Sequence, residues 1–191
     1  MRKKYFYLLV VLCFFFALSS ASAGGLEINE EEFKNLPEKH QIKGVKPLTQ
    51  GPYQCAPTCM AMVLNFWGVK VSKDELWAKV KTPDGKKTHS VTIINYFGLY
   101  GFETKVLRTS EYTLLKYFLN KGYPLIVFIE CRKFPGNGHF IVLTGYKEKG
   151  FKIIDPQFGY SESLTYKKFQ KLHSWSEGGC GPYWTLVVCP K

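Results

Sequence analysis

The stretch that decides the fold runs from residue 50 to residue 68 and reads QGPYQCAPTCMAMVLNFWG. Its second half is apolar at helical spacing, has Pro57 in its first turn and ends at Gly68, a residue that suits a helix C-terminus. The pattern predicts a buried helix that begins close to Cys55. Unpaired backbone N–H groups and the helix dipole favour a thiolate at such a position. Cys55 is therefore a candidate nucleophile, although a disulfide partner or a metal ligand would also suit this position.

Further helices are predicted up to residue 122. Ser72 and Glu75 stand in capping-box positions in SKDELWAKV and predict a short helix there. The segments SVTIINYFGLYG and SEYTLLKYFLNKG are each closed by glycine and are predicted to be helical. Before this region, residues 24–49 are predicted to be extended or partly helical. The first half of the chain is therefore expected to be mainly α-helical.

After Gly122 the period of the apolar pattern changes. YPLIVFIE, HFIVLTGY and FKIIDP are short runs of β-branched and aromatic residues, and KEKG between the last two is a predicted hairpin turn. YWTLVVC near the C-terminus adds one more strand. Helices followed by strands predict a single α+β domain over residues 24–191, with a helical half packed on an antiparallel sheet.

Two residues of the predicted hairpin carry chemistry. His139 opens the strand HFIVLTGY, and Asp155 closes the strand FKIIDP. If Tyr146 and Phe151 bracket the turn, His139 and Asp155 lie toward the same open end. A thiol nucleophile needs a base, and the base needs an acceptor that fixes its tautomer. Each residue alone would also suit a structural role, so their occurrence together with Cys55 is what indicates function.

These motifs together resemble the papain-like bacteriocin-processing (double-glycine leader) cysteine peptidases, especially their exported stand-alone relatives. The family pattern is a glutamine, then Cys-Gly-Pro-Ala/Thr opening an apolar helix that often ends Trp-Gly, then GHF with a β-branched run and GY, and finally DP. This chain has Gln50, CAPTCMAMVLNFWG from Cys55, GHFIVLTGY from Gly138, and IIDP ending at Pro156. The resemblance covers about residues 45–160 and implies a papain-like fold.

The resemblance also implies a role for each residue. Cys55 would be the nucleophile, His139 the general base, and Asp155 the group that orients the imidazole. Gln50 would donate to the oxyanion beside the backbone N–H of Cys55. Gln54 competes for that role, but a side chain adjacent to the nucleophile would point back at the same oxygen with difficulty. The implied reaction is hydrolysis of a peptide or protein substrate without cofactor or metal, and the family commonly cleaves after Gly-Gly.

One residue departs from the family pattern, because Ala56 follows the cysteine where the family usually has glycine. If that glycine serves a positive φ or a close approach of substrate, a methyl group is unfavourable there. A non-catalytic binding module on the peptidase fold is therefore one alternative. Another is an exported copper-binding or redox protein, since Cys55, Cys59 and His139 are a soft-ligand set suited to copper. That alternative leaves the glutamine and the aspartate without a role.

The first 23 residues have the layout of a secretory signal peptide. Arg2, Lys3 and Lys4 form a basic region, YFYLLVVLCFFFAL is an apolar core, and SSASA ends in a small-x-small site, which predicts cleavage after Ala23. A membrane anchor is the alternative, but the core is shorter than the roughly 20 apolar residues that a spanning helix needs. The expected location is the periplasm or the extracellular space, with no stable membrane insertion after cleavage.

Charge and cysteine content bear on partners and redox state. Cleavage would leave 23 basic and 15 acidic residues. These charges are scattered rather than in blocks, which favours a solvated basic surface over nucleic-acid binding. Five cysteines would remain, and an odd number leaves one thiol over or pairs it between molecules. If Cys55 is free, three pairings are open to the others, which are Cys59, Cys131, Cys180 and Cys189.

Overall fold

The computed structural model describes residues 26–191, so the predicted signal peptide lies outside the described residues. Within this range, no helix has both the length and the apolar character needed to cross a membrane. The elements in chain order are α1 (Glu30–Lys34), β1 (His40–Gln41), α2 (Cys55–Phe66), α3 (Lys73–Val80), α4 (Ser90–Leu99), β2 (Phe102–Arg108), α5 (Tyr112–Asn120), β3 (Leu125–Glu130), β4 (Gly138–Lys147), β5 (Gly150–Asp155), β6 (Tyr160–Thr165), α6 (Tyr166–His173) and β7 (Trp184–Pro190).

The strands form one antiparallel sheet in the order β2-β7-β3-β4-β5-β6, and β1 pairs with the far end of β4. Helices cover both faces. Along β3, Ile126 and Phe128 belong to the core beneath α2, α3 and α4, whereas Leu125 and Val127 belong to the core beneath α5 and α6. Burial on both faces explains why the central strands are continuous apolar runs. The expected α+β class with helices packed on an antiparallel sheet is confirmed.

The predicted helix boundaries agree with the structure. Helix α2 begins at Cys55, and Gly68 follows its end with φ +89°. Ser72 and Glu75 form the predicted capping box at the start of α3, each side chain bonding the backbone N–H of the other residue. Local signals of capping therefore located these helices correctly.

The expectation of helices first and strands second is only approximately correct. Strand β2 lies between α4 and α5, where no strand was predicted, and it pairs along its length with the C-terminal β7. Its sequence FETKVLR has few apolar residues, because an edge strand is partly exposed. Strand β6 and helix α6 were also not predicted. The pairing of β2 with a strand about 80 residues away has no local signal.

A β-bulge at Thr144 sets the register between β4 and β5. Next to the turn Tyr146 pairs with Phe151, as predicted, but the register shifts between Leu143 and Gly145. Continued to the end of β5, the shifted register sets Asp155 two residues from His139. Residues two apart share a face of a sheet, whereas the unshifted register would separate them by three and place them on opposite faces.

Candidate active site

Cys55 is the first residue of α2 and is partly exposed. The chain turns into the helix through Tyr53, which adopts φ +61°, a conformation uncommon for a residue other than glycine. Gln54 is the N-cap residue, but its side chain makes no capping hydrogen bond. The N–H groups of the first turn are therefore not occupied by a capping side chain, and the backbone N–H of Ala56 bonds the Cys55 sulfur.

The side chain of Gln54 is held away from the thiol. Its Oε1 accepts from the backbone N–H of Gly51 at 2.9 Å and from Lys73 Nζ at 3.1 Å. Its Nε2 donates to Asp74 Oδ1 at 3.0 Å. Gly51 leaves room for this arrangement, because a Cβ there would lie 2.5 Å from Gln54 Oε1. Gln54 therefore ties the turn before α2 to the start of α3.

Gln50, in contrast, lines the same cleft as Cys55 and His139. Its backbone N–H donates to the carbonyl of Pro156 at 2.8 Å, which fixes the residue against the turn that follows β5. Its Oε1 is buried and meets no hydrogen-bond partner among the described residues. The structure thus brings Gln50, and not the side chain of Gln54, to the cleft.

His139 and Asp155 are in direct contact. Nε2 of His139 lies 2.7 Å from Oδ1 of Asp155, and both residues are buried. The same carboxylate oxygen accepts the backbone N–H of Gln157 at 2.9 Å. Since Nε2 is engaged by the carboxylate, the hydrogen bond between His139 and the Cys55 thiol falls to Nδ1. The three side chains therefore form one connected row.

The electrostatics of this row favour charge separation. Burial opposes ionisation of Cys55, but the hydrogen bond and charge of His139 and the backbone N–H groups of Phe140 and Ala56 outweigh it, so the thiol pKa is lowered. Burial likewise opposes protonation of His139, but hydrogen bonds with Asp155 and Cys55 raise its pKa to about 10. The arrangement therefore supports a thiolate–imidazolium pair near neutral pH.

The row opens into a cleft of about 650 Å³. Phe128 and Phe140 contribute apolar surface, and the segment of residues 86–90 and Glu177 also line the cleft. Gly138 permits the close packing beside His139, because a Cβ there would lie 2.1 Å from the Phe128 ring. This volume is within the range of ligand-binding clefts, about 300–1,000 Å³.

Comparison with known proteins shows which family the chain belongs to. The sequence profile of the Peptidase_C39 like family matches residues 39–182. The chain belongs to this family. The match spans every residue of the row and the strands that carry it. No curated protein sequence matches the chain.

Several solved structures share the fold of this chain. A double glycine motif protease from an AMS/PCAT transporter, in complex with the leader peptide, is 21% identical with a TM-score of 0.60, covering 79% of this chain and 94% of that chain. A C39-like peptidase from Bacillus anthracis is 16% identical with a TM-score of 0.65, covering 81% and 99%. A recombinant stem bromelain precursor is 10% identical with a TM-score of 0.62, covering 87% and 75%. These likenesses confirm the papain-like fold.

Ala56, which departs from the family pattern, is accommodated without strain. It lies in the first turn of α2, is buried and is absent from the residues with positive φ. A glycine is therefore not required by the backbone at this position. The methyl group lines the cleft beside Cys55.

The expectation of disulfides is wrong for the described residues, in which all five cysteines are free. Cys59 is fully buried in the core beneath α2, and Cys189 lies on β7, where its thiol faces Glu103. Burial raises the pKa of Cys59 and, to about 11, that of Cys189. The copper interpretation also loses support, because residues 26–191 contain no group of three or more His, Cys, Asp or Glu side chains that could hold a metal ion.

Sequence reasoning missed one charged residue of the site. Arg132, in the loop after β3, donates to Oδ2 of Asp155 from Nη2 at 2.7 Å and from Nε at 3.3 Å. It also contacts Glu162 on β6. One arginine among 26 basic residues, in a loop without a recognisable motif, carries no sequence signal for this contact.

Proposed function

We propose that this protein is an exported cysteine peptidase that hydrolyses peptide bonds with Cys55, His139 and Asp155. The observation that carries the proposal is the connected row itself. A thiol of lowered pKa adjoins an imidazole that a buried carboxylate orients, and the thiol and the imidazole lie at a cleft. Membership in the Peptidase_C39 like family supports the same reaction class.

In the proposed reaction the Cys55 thiolate attacks the carbonyl carbon of the scissile bond. The negative charge that develops on the carbonyl oxygen is stabilised by the amide of Gln50 and the backbone N–H of Cys55. The imidazolium of His139 then gives its proton to the leaving amine, and an acyl-enzyme thioester remains. Neutral His139 takes a proton from water, whose oxygen attacks the thioester. This step releases the carboxylic acid product and leaves the Cys55 thiolate beside the imidazolium again. Asp155 keeps the ring in position throughout.

The proposed substrate is an exported peptide or protein that is cleaved after small residues such as Gly-Gly. A fold relative was solved as a double glycine motif protease in complex with the leader peptide. Here the buried residues Ala56, Phe128 and Phe140 line the cleft that contains Cys55. Small side chains next to the scissile bond are compatible with that restriction.

Export is proposed from the sequence of residues 1–23. The mature protein would begin at Gly24, in the periplasm or outside the cell. N-terminal sequencing of protein recovered from the cell envelope or the medium tests this point. A membrane-bound chain that still carries Met1 would contradict it.

The activity is tested with an unbiased peptide library and mass-spectrometric detection of cleavage sites. The wild-type protein should cut a subset of peptides, and Cys55→Ala should cut none. Cys189→Ala is the matched control, because this thiol lies on β7 and does not line the cleft. Absence of cleavage above the Cys55→Ala background would support the non-catalytic binding module instead.

The role of Gln50 is tested on a peptide that the library identifies. Gln50→Ala should lower kcat by about 10²–10³-fold with little change in KM, the range for the loss of one oxyanion donor. Gln54→Ala is the comparison variant, because the Gln54 side chain is hydrogen-bonded to Gly51 and Asp74 and does not line the cleft. A large loss of kcat in Gln54→Ala and none in Gln50→Ala would reverse the assignment.

A further inference from the structure

Arg132 links the wall of the cleft to the carboxylate that orients His139. It lies in the loop between β3 and β4, and its neighbours Cys131 and Phe134 line the cleft. Its side chain is only 13% exposed, and its guanidinium reaches past β4 to Asp155 and Glu162. Removing most of an arginine side chain from water is costly, and the contacts with two carboxylates offset that cost.

The four contacts of Asp155 show what Arg132 does there. Oδ1 is hydrogen-bonded to Nε2 of His139 and to the backbone N–H of Gln157. Oδ2 accepts hydrogen bonds from Nη2 and Nε of Arg132. The side chain of Asp155 is fully buried, so an unbonded oxygen would be strongly unfavourable. With Arg132 in place, rotation of the carboxylate breaks two charge-assisted hydrogen bonds, which fixes Oδ1 toward the imidazole.

Arg132 is itself held from two further sides. Its Nη2 donates to Oε1 of Glu162 at 2.5 Å, and its guanidinium carbon lies 4.9 Å from the centre of the Phe158 ring. Glu162 lies on β6, where it pairs with Ile153 of β5, the strand that ends at Asp155. Arg132 therefore contacts carboxylates on two adjacent strands. Glu162 also offsets the positive charge of Arg132 close to the imidazolium of His139.

We propose that Arg132 is a positioning residue for the proposed peptidase reaction. It holds Oδ1 of Asp155 toward His139, and Glu162 holds Arg132 and balances its charge. The inference rests on the proposed function for its kinetic consequence. Its structural consequence, the state of the His139 ring, can be measured independently of any cleavage.

The kinetic arm compares Arg132→Met, Arg132→Lys and Glu162→Gln with the wild type. Arg132→Met keeps the apolar stem and should lower kcat by about 10–100-fold with KM little changed, as found for residues that orient metal ligands from behind. Arg132→Lys keeps the charge and should recover part of that loss. Glu162→Gln should move the alkaline limb of the pH profile to lower pH, because the uncompensated charge of Arg132 then disfavours the imidazolium.

The structural arm follows the ¹H and ¹⁵N resonances of the His139 ring by NMR during a pH titration. Arg132→Met should broaden or shift the resonance of the proton between Nε2 and Asp155, whereas Lys149→Met should not. Lys149 is the matched control, because it is an exposed lysine in the β4–β5 turn. Thermal unfolding of every variant shows whether it is folded. If Arg132→Met does not fold, the His139 resonances of Arg132→Lys and Glu162→Gln test the inference.

Two results would overturn the inference. One is an unchanged His139 resonance in Arg132→Met, and the other is a loss of kcat that Arg132→Lys does not recover and that leaves the pH profiles of all variants unshifted. Absence of cleavage by the wild-type protein would refute the proposed function instead. In that case the His139 resonance alone tests whether Arg132 positions Asp155.

Discussion

Two buried histidines of this protein have opposite electrostatic surroundings. His139 contacts the carboxylate of Asp155 and the Cys55 thiol, and these contacts raise its pKa to about 10 against the effect of burial. His173, at the end of α6, is buried equally deeply. Burial lowers its pKa to about 4, and the opposing hydrogen bond with the carbonyl of Trp184 is too weak to restore it.

The comparison shows that the partner, and not burial, decides the charge of a buried histidine here. A carboxylate offsets the desolvation of an imidazolium, whereas a carbonyl and the hydroxyl of Thr185 do not. Nδ1 of His173 is also buried and has no partner among the described residues. His173 is therefore a neutral packing residue beside Phe169, and His139 is placed to exchange a proton.

Replacement of each histidine by glutamine should give the largest contrast. His139→Gln should abolish cleavage, by about 10⁴–10⁶-fold in kcat, as expected for loss of a residue of a nucleophile–base unit. It should also slow alkylation of Cys55 by limited iodoacetamide at pH 6. His173→Gln should leave both rates nearly unchanged.

Peptide mapping after alkylation measures all cysteines in one experiment. In the wild type, Cys55 should be modified well ahead of the other thiols, since burial raises the pKa of Cys59 and Cys180. Uniform labelling, or labelling of Cys55 that ignores the loss of His139, would mean that no thiolate–imidazolium pair exists.

Asp155→Asn should remove the main difference between the two histidines. Without the carboxylate the pKa of His139 falls toward that of His173, so the alkaline limb of the kcat profile should move to lower pH. The kcat should fall by up to about 10⁴-fold, because the ring also loses its fixed tautomer. Glu148→Gln, an exposed carboxylate in the β4–β5 turn, serves as the control. An unshifted alkaline limb in Asp155→Asn would exclude Asp155 as the partner that charges His139.

The pH dependence of stability should follow the two histidines with opposite signs. The folded pKa of His173 lies below its unfolded value, so stability is present above about pH 6.5 and is lost as pH falls toward 4, by up to about 3 kcal/mol. His139 has a raised pKa, so its contribution is complete below about pH 6.5 and is lost as pH rises through about 10.

Urea unfolding of wild type and His173→Gln at several pH values measures the first effect. The variant should show a flatter decrease in the free energy of unfolding between pH 6.5 and 4.5, a range above the lowered carboxylate pKa of Asp155. His89→Gln, at an exposed histidine, should keep the wild-type slope. Equal slopes in all three proteins would show that folding does not lower the pKa of His173.

The smallest expected effect concerns the hydroxyl beside His173. Thr185→Val removes a group 3.1 Å from Nε2 and should cost about 1 kcal/mol of unfolding free energy. Thr144→Val is the matched buried control, because Thr144 Oγ1 has no partner within the described residues, and its loss should be neutral or stabilising. Denaturant unfolding distinguishes the two, and a larger loss in Thr144→Val would indicate an unseen partner of its hydroxyl.

The sequence alone determined the positions of the elements that carry the three candidate site residues. Apolar periodicity with Pro57 and Gly68 located α2 and so placed Cys55 at a helix N-terminus. Alternating turn and strand signals placed His139 at the start of β4 and Asp155 at the end of β5. Each of these features depends on residues within a few positions of one another, which is why a linear sequence reveals them.

Only the tertiary structure decided how those residues meet. The bulge at Thr144 places His139 and Asp155 on one face of the sheet. Strand β1 can pack beside the bulge because Gly145 has no Cβ, which would lie 2.4 Å from the carbonyl oxygen of His40. The contact of Arg132 with Asp155 joins residues 23 positions apart. A one-residue shift in register and a contact across three strands depend on packing between distant segments, and no local pattern of residues encodes either.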